Sequence, residues 1–302
     1  MIEDCAIIGA GAIGASLGEL LSRTYDSVRI IATGERAKRY SSEGFVINEK
    51  RWIPAVESGD HTYDLVIIAV KFNQFHEILP VVDKLIGEHT QILSLLNGLV
   101  TEEILIERYG SEHVLYSFTV GQDALRLNNS IHYTLMGRVV FGEIENDRED
   151  LTERVSEIER YLCAAGVNAV VADDMIYELW WKFMVNVGIN QASAYLERSF
   201  GEFQKGGESF DLMKDLMEEV ITLSQFTEHP LSTLDFDRWV VLLMTLNPLG
   251  KPSMYQDFEA GRKSELGLFA GTVLEKAREL GLSVPANTMV YEELAAREMV
   301  NS

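Results

Sequence analysis

The chain has few cysteines, few basic residues and no long apolar run. Its two cysteines, Cys5 and Cys163, lack metal-ligand spacing, so the sequence suggests neither a disulfide framework nor a zinc site. No apolar stretch approaches the roughly 20 residues that span a bilayer. The N-terminus starts a strand rather than a signal peptide. We therefore expect a cytoplasmic protein with no membrane partner.

Basic residues are outnumbered by acidic ones, 26 Lys and Arg against 47 Asp and Glu, and the formal net charge is −21. Surfaces that bind nucleic acid need dense basic patches, so this balance argues against a nucleic-acid partner. The overall field also repels phosphates and carboxylates. A phosphorylated cofactor or an acidic substrate therefore requires a few lysines and arginines to converge on one local site.

The first half of the chain alternates apolar strands with helical patterns. At 302 residues, of which 47% are hydrophobic, the chain can form a sizeable core and two domains. Nearly continuous apolar runs at 28–32, 65–70 and 91–95 predict a parallel sheet covered on both faces. Further strands are predicted at 114–118, 130–134 and 138–142, the last two as a hairpin around 135–137.

A glycine turn, Gly9-Ala10-Gly11-Ala12-Ile13-Gly14, follows the first apolar run and leads directly into a helical pattern. Gly9 would let the chain leave a buried strand sharply, Gly11 would let the backbone approach a pyrophosphate, and Gly14 would let the next helix pack closely. The N-terminus of that helix favours an anion without any basic side chain. The pattern predicts dinucleotide binding by residues 9–14, and the alternative is a glycine turn that only packs.

The second half of the chain has long helical stretches. A charged run at 146–150 marks a linker or helix start. Helices are predicted at 153–165, 174–195, 208–226, 234–246 and 263–280, with a short final helix from Ala286. We therefore predict an α/β fold with an N-terminal dinucleotide-binding domain at 1–145 and a C-terminal all-helical domain at 146–302.

Two loops at the carboxyl ends of predicted strands carry polar residues. Val70, Lys71 and Gln74 follow one strand, and Asn97 and Gly98 follow the next. Ligands bind at this edge of open parallel sheets, so both loops are candidate parts of the dinucleotide site. In the alternative interpretation, Lys71 and Gln74 only begin a solvated helix and Asn97-Gly98 is only a turn.

A polar stripe crosses an otherwise apolar helix in the second half. Lys182, Asn186 and Asn190 lie four residues apart and share one helix face, flanked by aromatic residues. A desolvated Lys182 would have a lowered pKa and could donate a proton to a substrate oxygen. The alternative is a lysine that reaches water beside two hydrogen-bonded asparagines.

A third segment, 252–265, contains Ser253, Gln256 and Glu265. Ser253 and Gln256 have the spacing of a capping box, which is the structural interpretation of that pair. Glu265 lies in a charged cluster, which on its own favours a solvated side chain.

Together these segments resemble the ketopantoate reductase family, the NADPH-dependent 2-dehydropantoate 2-reductases, and the resemblance covers nearly the whole chain. It implies an N-terminal Rossmann-type NADP-binding domain and a C-terminal helical domain that binds substrate. By this resemblance Lys182 is the general acid and Glu265 orients the substrate. Asn186, Asn190 and Ser253 bind the substrate, and Lys71 and Asn97 hold or border the cofactor.

Two positions depart from the pattern of that family. Many members have an arginine just past the second strand that pairs with the 2′-phosphate of NADPH, whereas this chain has Thr33. We still expect NADPH, because no Asp or Glu ends that strand and Thr33, Arg36 and Lys38 can meet a 2′-phosphate. Many members also have an asparagine near Gly250, and we expect Lys251 to substitute in part by attracting the substrate carboxylate.

The predicted function is hydride transfer from NADPH to ketopantoate, as in pantothenate and coenzyme A biosynthesis. One alternative is the same chemistry on another small 2-oxo or 3-oxo acid. Another is a noncatalytic NADP(H)-binding sensor, although a sensor needs only the glycine turn and not Lys182 and Glu265. The expected partner is a small-molecule 2-oxo acid, and a homodimer is the assembly considered.

Overall fold

The structure is a computed structural model that describes residues 1–122 and 124–301. The chain divides into two compact units, Met1–Met175 and a second unit from Ile176 onward. The elements of the first unit are β1 (Cys5–Ile8), α1 (Ala12–Ser22), β2 (Val28–Ile31), α2 (Gly34–Ser42), β3 (Phe45–Ile47), β4 (Lys50–Trp52), β5 (Val56–Glu57), β6 (Leu65–Ile68), α3 (Phe72–Val82), β7 (Gln91–Ser94), α4 (Thr101–Tyr109), β8 (Val114–Val120), β9 (Leu125–Leu127), β10 (Ser130–His132), β11 (Arg138–Gly142), α5 (Glu153–Ala164) and β12 (Ala169–Val171).

The main sheet of the first unit has the order β12-β11-β8-β7-β6-β1-β2-β5. The strands from β8 to β5 run parallel to one another, which confirms the predicted parallel sheet. Successive residues of β1 enter two different cores, since Cys5 and Ile7 pack on one face and Ala6 and Ile8 on the other. The strand order reverses between β1 and β6, so the ligand crevice of such a sheet lies at the carboxyl ends of these strands.

The predicted hairpin around residues 135–137 is wrong. β10 pairs with β9 and β3 in a separate sheet of order β4-β3-β10-β9, whereas β11 pairs with β8 in the main sheet. The burial pattern explains the separation. β10 alternates exposed and buried residues, as expected for a strand with one solvated face, but four consecutive residues of β11 are buried. The actual hairpin turns at Asn128, which has a φ of 57° that asparagine tolerates.

The first unit extends past the predicted domain boundary at 145. β12 pairs in parallel with β11. The buried face of α5, including Val155, Ile158 and Leu162, belongs to the same core as Phe141 of β11. The charged run at 146–150 therefore connects two elements of one unit, and the compact units divide only after Met175.

The second unit is helical, as predicted. Its elements are α6 (Met175–Val185), a first π-helix (Asn186–Asn190), α7 (Gln191–Leu196), α8 (Phe200–Gln204), α9 (Glu208–Ser224), α10 (Thr233–Leu243), α11 (Ser253–Glu259), a second π-helix (Gly267–Gly271), α12 (Thr272–Leu280) and α13 (Pro285–Asn301). Three details differ from the predicted helices. The stripe helix contains a π-helical segment, the helix predicted from 263 begins at Gly267, and the final helix is long.

Within the described ranges no helix is long and apolar enough to cross a membrane. The same residues contain no group of three or more His, Cys, Asp or Glu side chains placed to hold a metal ion.

Candidate active site

The glycine turn connects β1 to α1 and is packed against the loop that follows β6. Gly9 has a φ of 99°, and a Cβ atom there would lie 2.6 Å from the Ala69 carbonyl oxygen. A Cβ atom on Gly14 would lie 1.9 Å from the Gly9 carbonyl oxygen. Packing therefore explains both of these glycines. It does not explain Gly11, whose Cβ would meet no atom of the described residues closer than 3.9 Å, so this position leaves room for a ligand to approach the backbone.

The N-terminus of α1 has the features of an anion site. Gly11 is its N-cap residue, and among the described residues no side chain caps this end. The first turn also contains no acidic residue. The N–H groups of Ala12 and Ile13 precede the first intrahelical hydrogen bond, which Ala15 donates to the Gly11 carbonyl oxygen at 3.0 Å. A dinucleotide pyrophosphate fits this arrangement without a basic side chain.

Three other predicted cofactor segments follow β6, β7 and β2, at the same edge of the sheet. After β6, the Val70 side chain lies against Gly9, and the exposed Lys71 is the N-cap residue of α3, with Gln74 in its first turn. After β7, Asn97 is followed by Gly98, which has a φ of 101° that a residue with a side chain rarely adopts.

After β2, Thr33 is the exposed N-cap residue of α2, and Arg36 is exposed on its first turn. Lys38 is ion-paired with Glu35 at 2.7 Å on the same surface. The structure thus brings Thr33 and Arg36 to the expected edge of the sheet, but the charge of Lys38 is already compensated.

The sequence interpretation missed Arg126, which reaches the glycine turn from β9. Its Nη1 donates to the Ala10 carbonyl oxygen, and its Nε donates to the Asn128 carbonyl oxygen at 2.7 Å. Its guanidinium carbon lies 5.4 Å from the ring centroid of Phe45. The sequence carries no local signal for this contact, because residues 10 and 126 meet only through the pairing of β9, β10 and β3.

The sequence interpretation also missed Glu102, a buried carboxyl group beside the Asn97-Gly98 loop. Glu102 accepts a hydrogen bond of 2.8 Å from the Thr101 hydroxyl, which accepts one of 3.2 Å from the Ser94 hydroxyl. Its other oxygen has no partner among the described residues. Burial raises the pKa of Glu102 to about 7. The three side chains join the end of β7 to the start of α4, so they hold both ends of the intervening loop.

In the second unit, Lys182 and Glu265 interact electrostatically. Lys182 is half-buried, and loss of hydration lowers its pKa to about 8, while the negative charge of Glu265 acts in the opposite direction. Glu265 is itself half-buried, just before the second π-helix, and its main-chain oxygen accepts hydrogen bonds from Leu268 and Phe269. A lysine with this pKa is a suitable proton donor near neutral pH.

Asn186, Asn190 and Ser253 form one hydrogen-bonded chain. Asn190 donates through Nδ2 to the Asn186 Oδ1 at 3.1 Å, and the Ser253 hydroxyl donates to the Asn190 Oδ1 at 3.1 Å. The Met254 amide also donates to that oxygen at 3.4 Å. The predicted capping box is not formed, because Ser253 faces Asn190 and the Gln256 amide donates to the Lys251 carbonyl oxygen. The Ser253 hydroxyl therefore binds a residue of the polar stripe and does not cap a helix.

Asn186 and Asn190 are the first and last residues of a π-helical turn, and Lys182 lies in α6 just before it. Such turns in α-helices occur frequently at functional sites. Gly188 lies in this turn, and a Cβ atom there would lie 2.4 Å from Cγ of Met217 on α9. The absence of a side chain at Gly188 thus lets α9 pack closely behind the turn that carries Asn186 and Asn190.

The ammonium of Lys251, which we expected to attract a substrate carboxylate, is already ion-paired with a carboxylate of the protein. The ammonium donates to a Glu259 carboxylate oxygen at 2.5 Å and lies 4.9 Å from the Tyr255 ring centroid. A Cβ atom on Gly250 would lie 3.0 Å from the Asn247 carbonyl oxygen and 3.1 Å from the Phe200 ring. An asparagine at position 250 would therefore need this loop to shift.

A parallel sheet of this strand order with a glycine turn at its switch point is typical of oxidoreductases that bind a dinucleotide. Two family models match the chain, one described as Ketopantoate reductase PanE/ApbA over residues 5–146 and the other as Ketopantoate reductase PanE/ApbA C terminal over residues 174–298. The chain belongs to the ketopantoate reductase family and is an oxidoreductase of that type.

The chain is also similar to known proteins over nearly its whole length. The chain is 25% identical to a 2-dehydropantoate 2-reductase of Streptococcus pyogenes serotype M6 over 302 residues, which cover 97% of each chain. Its fold is similar to a D-mandelate dehydrogenase in a ternary structure with NADH and anilino(oxo)acetate, with a TM-score of 0.88, 22% identity and 99% of each chain covered. It is also similar to a dimeric ketopantoate reductase from Staphylococcus aureus, with a TM-score of 0.84, 19% identity and 99% and 100% of the two chains covered.

Proposed function

We propose that this protein catalyses the NADPH-dependent reduction of 2-dehydropantoate (ketopantoate) to pantoate, in pantothenate and coenzyme A biosynthesis. The observation that carries the proposal is the electrostatic interaction of the Glu265 carboxylate with a half-buried Lys182, whose pKa burial lowers to about 8. A lysine with only a structural role would be more stable with its ammonium fully hydrated, whereas burial removes part of the hydration of Lys182. A noncatalytic sensor would have no need for such a group.

The catalytic role of Lys182 is to act on the ketone oxygen of the substrate. When NADPH is bound, its nicotinamide supplies the hydride. The ketone oxygen gains negative charge as the hydride arrives, and the Lys182 ammonium donates a hydrogen bond and then its proton from Nζ to that oxygen. Glu265 favours the protonated lysine and accepts a hydrogen bond from the substrate hydroxyl.

The substrate is positioned by the chain of Asn186, Asn190 and Ser253. The Ser253 hydroxyl donates to Asn190, so its oxygen can accept a hydrogen bond from a substrate hydroxyl. The amide groups of the two asparagines provide donors for the carboxylate. Because these side chains are held by one another and by the π-helical turn, little rotamer entropy is lost when a substrate binds.

NADPH is the proposed cofactor, held by residues 9–14, Thr33 and Arg36, Val70, Lys71 and Gln74, and Asn97 and Gly98. The open position at Gly11 and the uncapped N-terminus of α1 support a pyrophosphate at the glycine turn. The sequence after β2 supports NADPH over NADH, since it has Ala32 and Thr33 where an acidic residue would bind the ribose hydroxyls. Comparable kcat/KM for NADPH and NADH would contradict the cofactor preference and leave the reductase proposal intact.

The test is the rate of NADPH oxidation with ketopantoate and with a panel of other small 2-oxo and 3-oxo acids. The proposal expects ketopantoate to have the highest kcat/KM. A higher value for another oxo acid would assign the same chemistry to a different substrate. Tight NADPH binding with no turnover on any oxo acid would instead support the sensor.

The biosynthetic role carries with it a cytoplasmic location, and the dimeric relative supports a homodimer in solution. Light scattering on the purified protein measures the oligomeric state directly. A monomer across the working concentration range would contradict the proposed homodimer.

A further inference from the structure

A small cavity of the first unit lies between α2, β3 and the β9–β10 turn. Its volume is about 200 Å³, and its lining includes Arg39, Tyr40, Glu43, Phe45 and Arg126. Arg39, Tyr40 and Glu43 lie in the last turn and at the C-cap of α2, the helix that follows β2, whereas Arg126 contacts the glycine turn. Arg126 therefore joins the cavity to the turn where a dinucleotide binds in folds of this type.

Arg126 connects this cavity to the glycine turn. Its hydrogen bond to the Ala10 carbonyl oxygen fixes the guanidinium beside the residue between Gly9 and Gly11. The Phe45 ring supports one face of the guanidinium. The Asn128 carbonyl oxygen is a second main-chain acceptor. The side chain is thus oriented before any ligand binds.

Among the described residues, no carboxylate compensates the positive charge of Arg126. Across 1–122 and 124–301, neither Arg126 nor Arg39 forms an ion pair, and the carboxylate that lines the cavity is that of Glu43. A guanidinium has five N–H donors, of which Arg126 uses one on Nε and one on Nη1. The remaining donors can bind two oxygens of a phosphate in a forked geometry.

We propose that Arg126 is a cofactor-specificity residue that binds the 2′-phosphate of NADPH. Arg126 takes the place of a basic residue directly after β2, where this chain has Thr33. Arg39 is a second cation at the same cavity. This inference rests on the proposed use of NADPH. The Glu43 carboxylate would repel a phosphate at this cavity, so removing its charge should have the opposite effect to removing that of Arg126.

The experiment is calorimetric binding of adenosine 2′,5′-bisphosphate and of adenosine 5′-monophosphate to the full chain. These two probes differ only in the 2′-phosphate and need no oxo acid. Arg126→Gln should weaken binding of the bisphosphate by roughly tenfold or more, as expected for a charged hydrogen bond, and change that of the monophosphate by less than about twofold. Glu43→Gln should strengthen binding of the bisphosphate alone.

Arg51→Gln is the matched control. Arg51 lies in β4 of the same small sheet, is exposed, and donates to the Ser42 carbonyl oxygen at 3.1 Å. This variant removes the same charge from the molecule, so it should leave both affinities within about twofold of wild type.

Equal losses for the two probes in Arg126→Gln would show that Arg126 only supports the turn at Ala10, and would overturn the proposal. An unchanged bisphosphate affinity would overturn it as well. If Arg126→Gln fails to fold, Arg126→Lys keeps the positive charge and loses the forked donors of the guanidinium. It should weaken binding of the bisphosphate selectively. A loss of affinity shared by both probes would refute the proposal. Absence of ketopantoate turnover in wild type would refute the proposed function, but it would not change the result of this binding experiment.

Discussion

Replacement of Lys182 by methionine should separate stability from activity. The variant keeps the length and apolar stem of the side chain and removes the ammonium. General acid catalysis typically contributes about 10²–10⁴-fold, so we expect kcat to fall by that factor while NADPH binding changes little. The same variant should be more stable than wild type at neutral pH, because the folded protein no longer has to desolvate a cation.

The magnitude of the stability change follows from the pKa. A lysine pKa lowered from 10.5 to about 8 corresponds to a cost of roughly 3 kcal/mol for the charged form in the folded state. Solvent that reaches the half-buried side chain makes this an upper figure. The cost is fully present below pH 8, where Lys182 is charged in both states. Between about pH 8 and pH 10.5 only the unfolded chain holds the proton, so the stability of wild type rises with pH and approaches that of the variant.

The pH dependence of kcat gives an independent check. Lys182 must be protonated to donate, so the kcat of wild type should decline as pH rises through about 8. Glu265→Gln removes the negative charge that raises the lysine pKa, so this decline should move to lower pH. Lys276→Met is a suitable control, because Lys276 is another half-buried lysine of the second unit, with its ammonium 5.8 Å from the Trp180 ring centroid. It should leave kcat and its pH profile unchanged.

Either of two results would refute this reasoning. A Lys182→Met enzyme with the kcat of wild type would show that the lysine is structural. A decline in kcat at the same pH in wild type and Glu265→Gln would show that Glu265 does not act on the charge of Lys182.

Three further predictions follow from the same structure. Glu265→Ala should lower kcat/KM for ketopantoate more than for its analogue without the hydroxyl, because it removes the acceptor for that group; equal losses would mean that Glu265 supports the unit generally. Gly188→Ala should destabilise the protein by about 1–3 kcal/mol in denaturant titrations, since its methyl group would overlap Met217, and an unchanged midpoint would show that the π-helical turn has free space. Glu102 has its pKa raised to about 7 in the folded state from 4.5, so wild type should lose stability as pH rises between these values, and Glu102→Gln should reduce that loss; identical pH profiles of the melting temperature would contradict the burial of an ionisable group there.

The parallel sheet could be predicted because its signals are local. Buried parallel strands are continuous apolar runs, and the glycines at 9 and 14 are required by contacts within a few residues of the turn or with the neighbouring strand. The contact between Asn186 and Asn190 was also predictable, because positions four apart share a helix face. Their hydrogen bond forms at that spacing even though the turn is π-helical.

The remaining parts of the site depend on contacts between distant segments. The bond from Ser253 to Asn190 joins residues 63 positions apart, and the capping-box spacing at 253–256 gave a competing local explanation for the same serine. Arg126 meets Ala10 across 116 positions through a sheet whose pairing was predicted incorrectly. The wrong hairpin and the missed arginine therefore have one cause, since the strand that carries Arg126 can be placed only when β10 is paired with β3.

Asn190 links the two elements that carry the proposed substrate site. Its Oδ1 accepts from both the Ser253 hydroxyl and the Met254 amide, and its Nδ2 donates to Asn186, so one amide group joins the π-helical turn to the first turn of α11. Asn190 is only 6% exposed, so water cannot readily replace any of these hydrogen bonds and the loss of one would be costly. Aspartate has the same size but no donor for Asn186, and it would place a negative charge where a substrate carboxylate is proposed to bind. Both the position of Ser253 and the sign of the local charge therefore depend on an amide at residue 190.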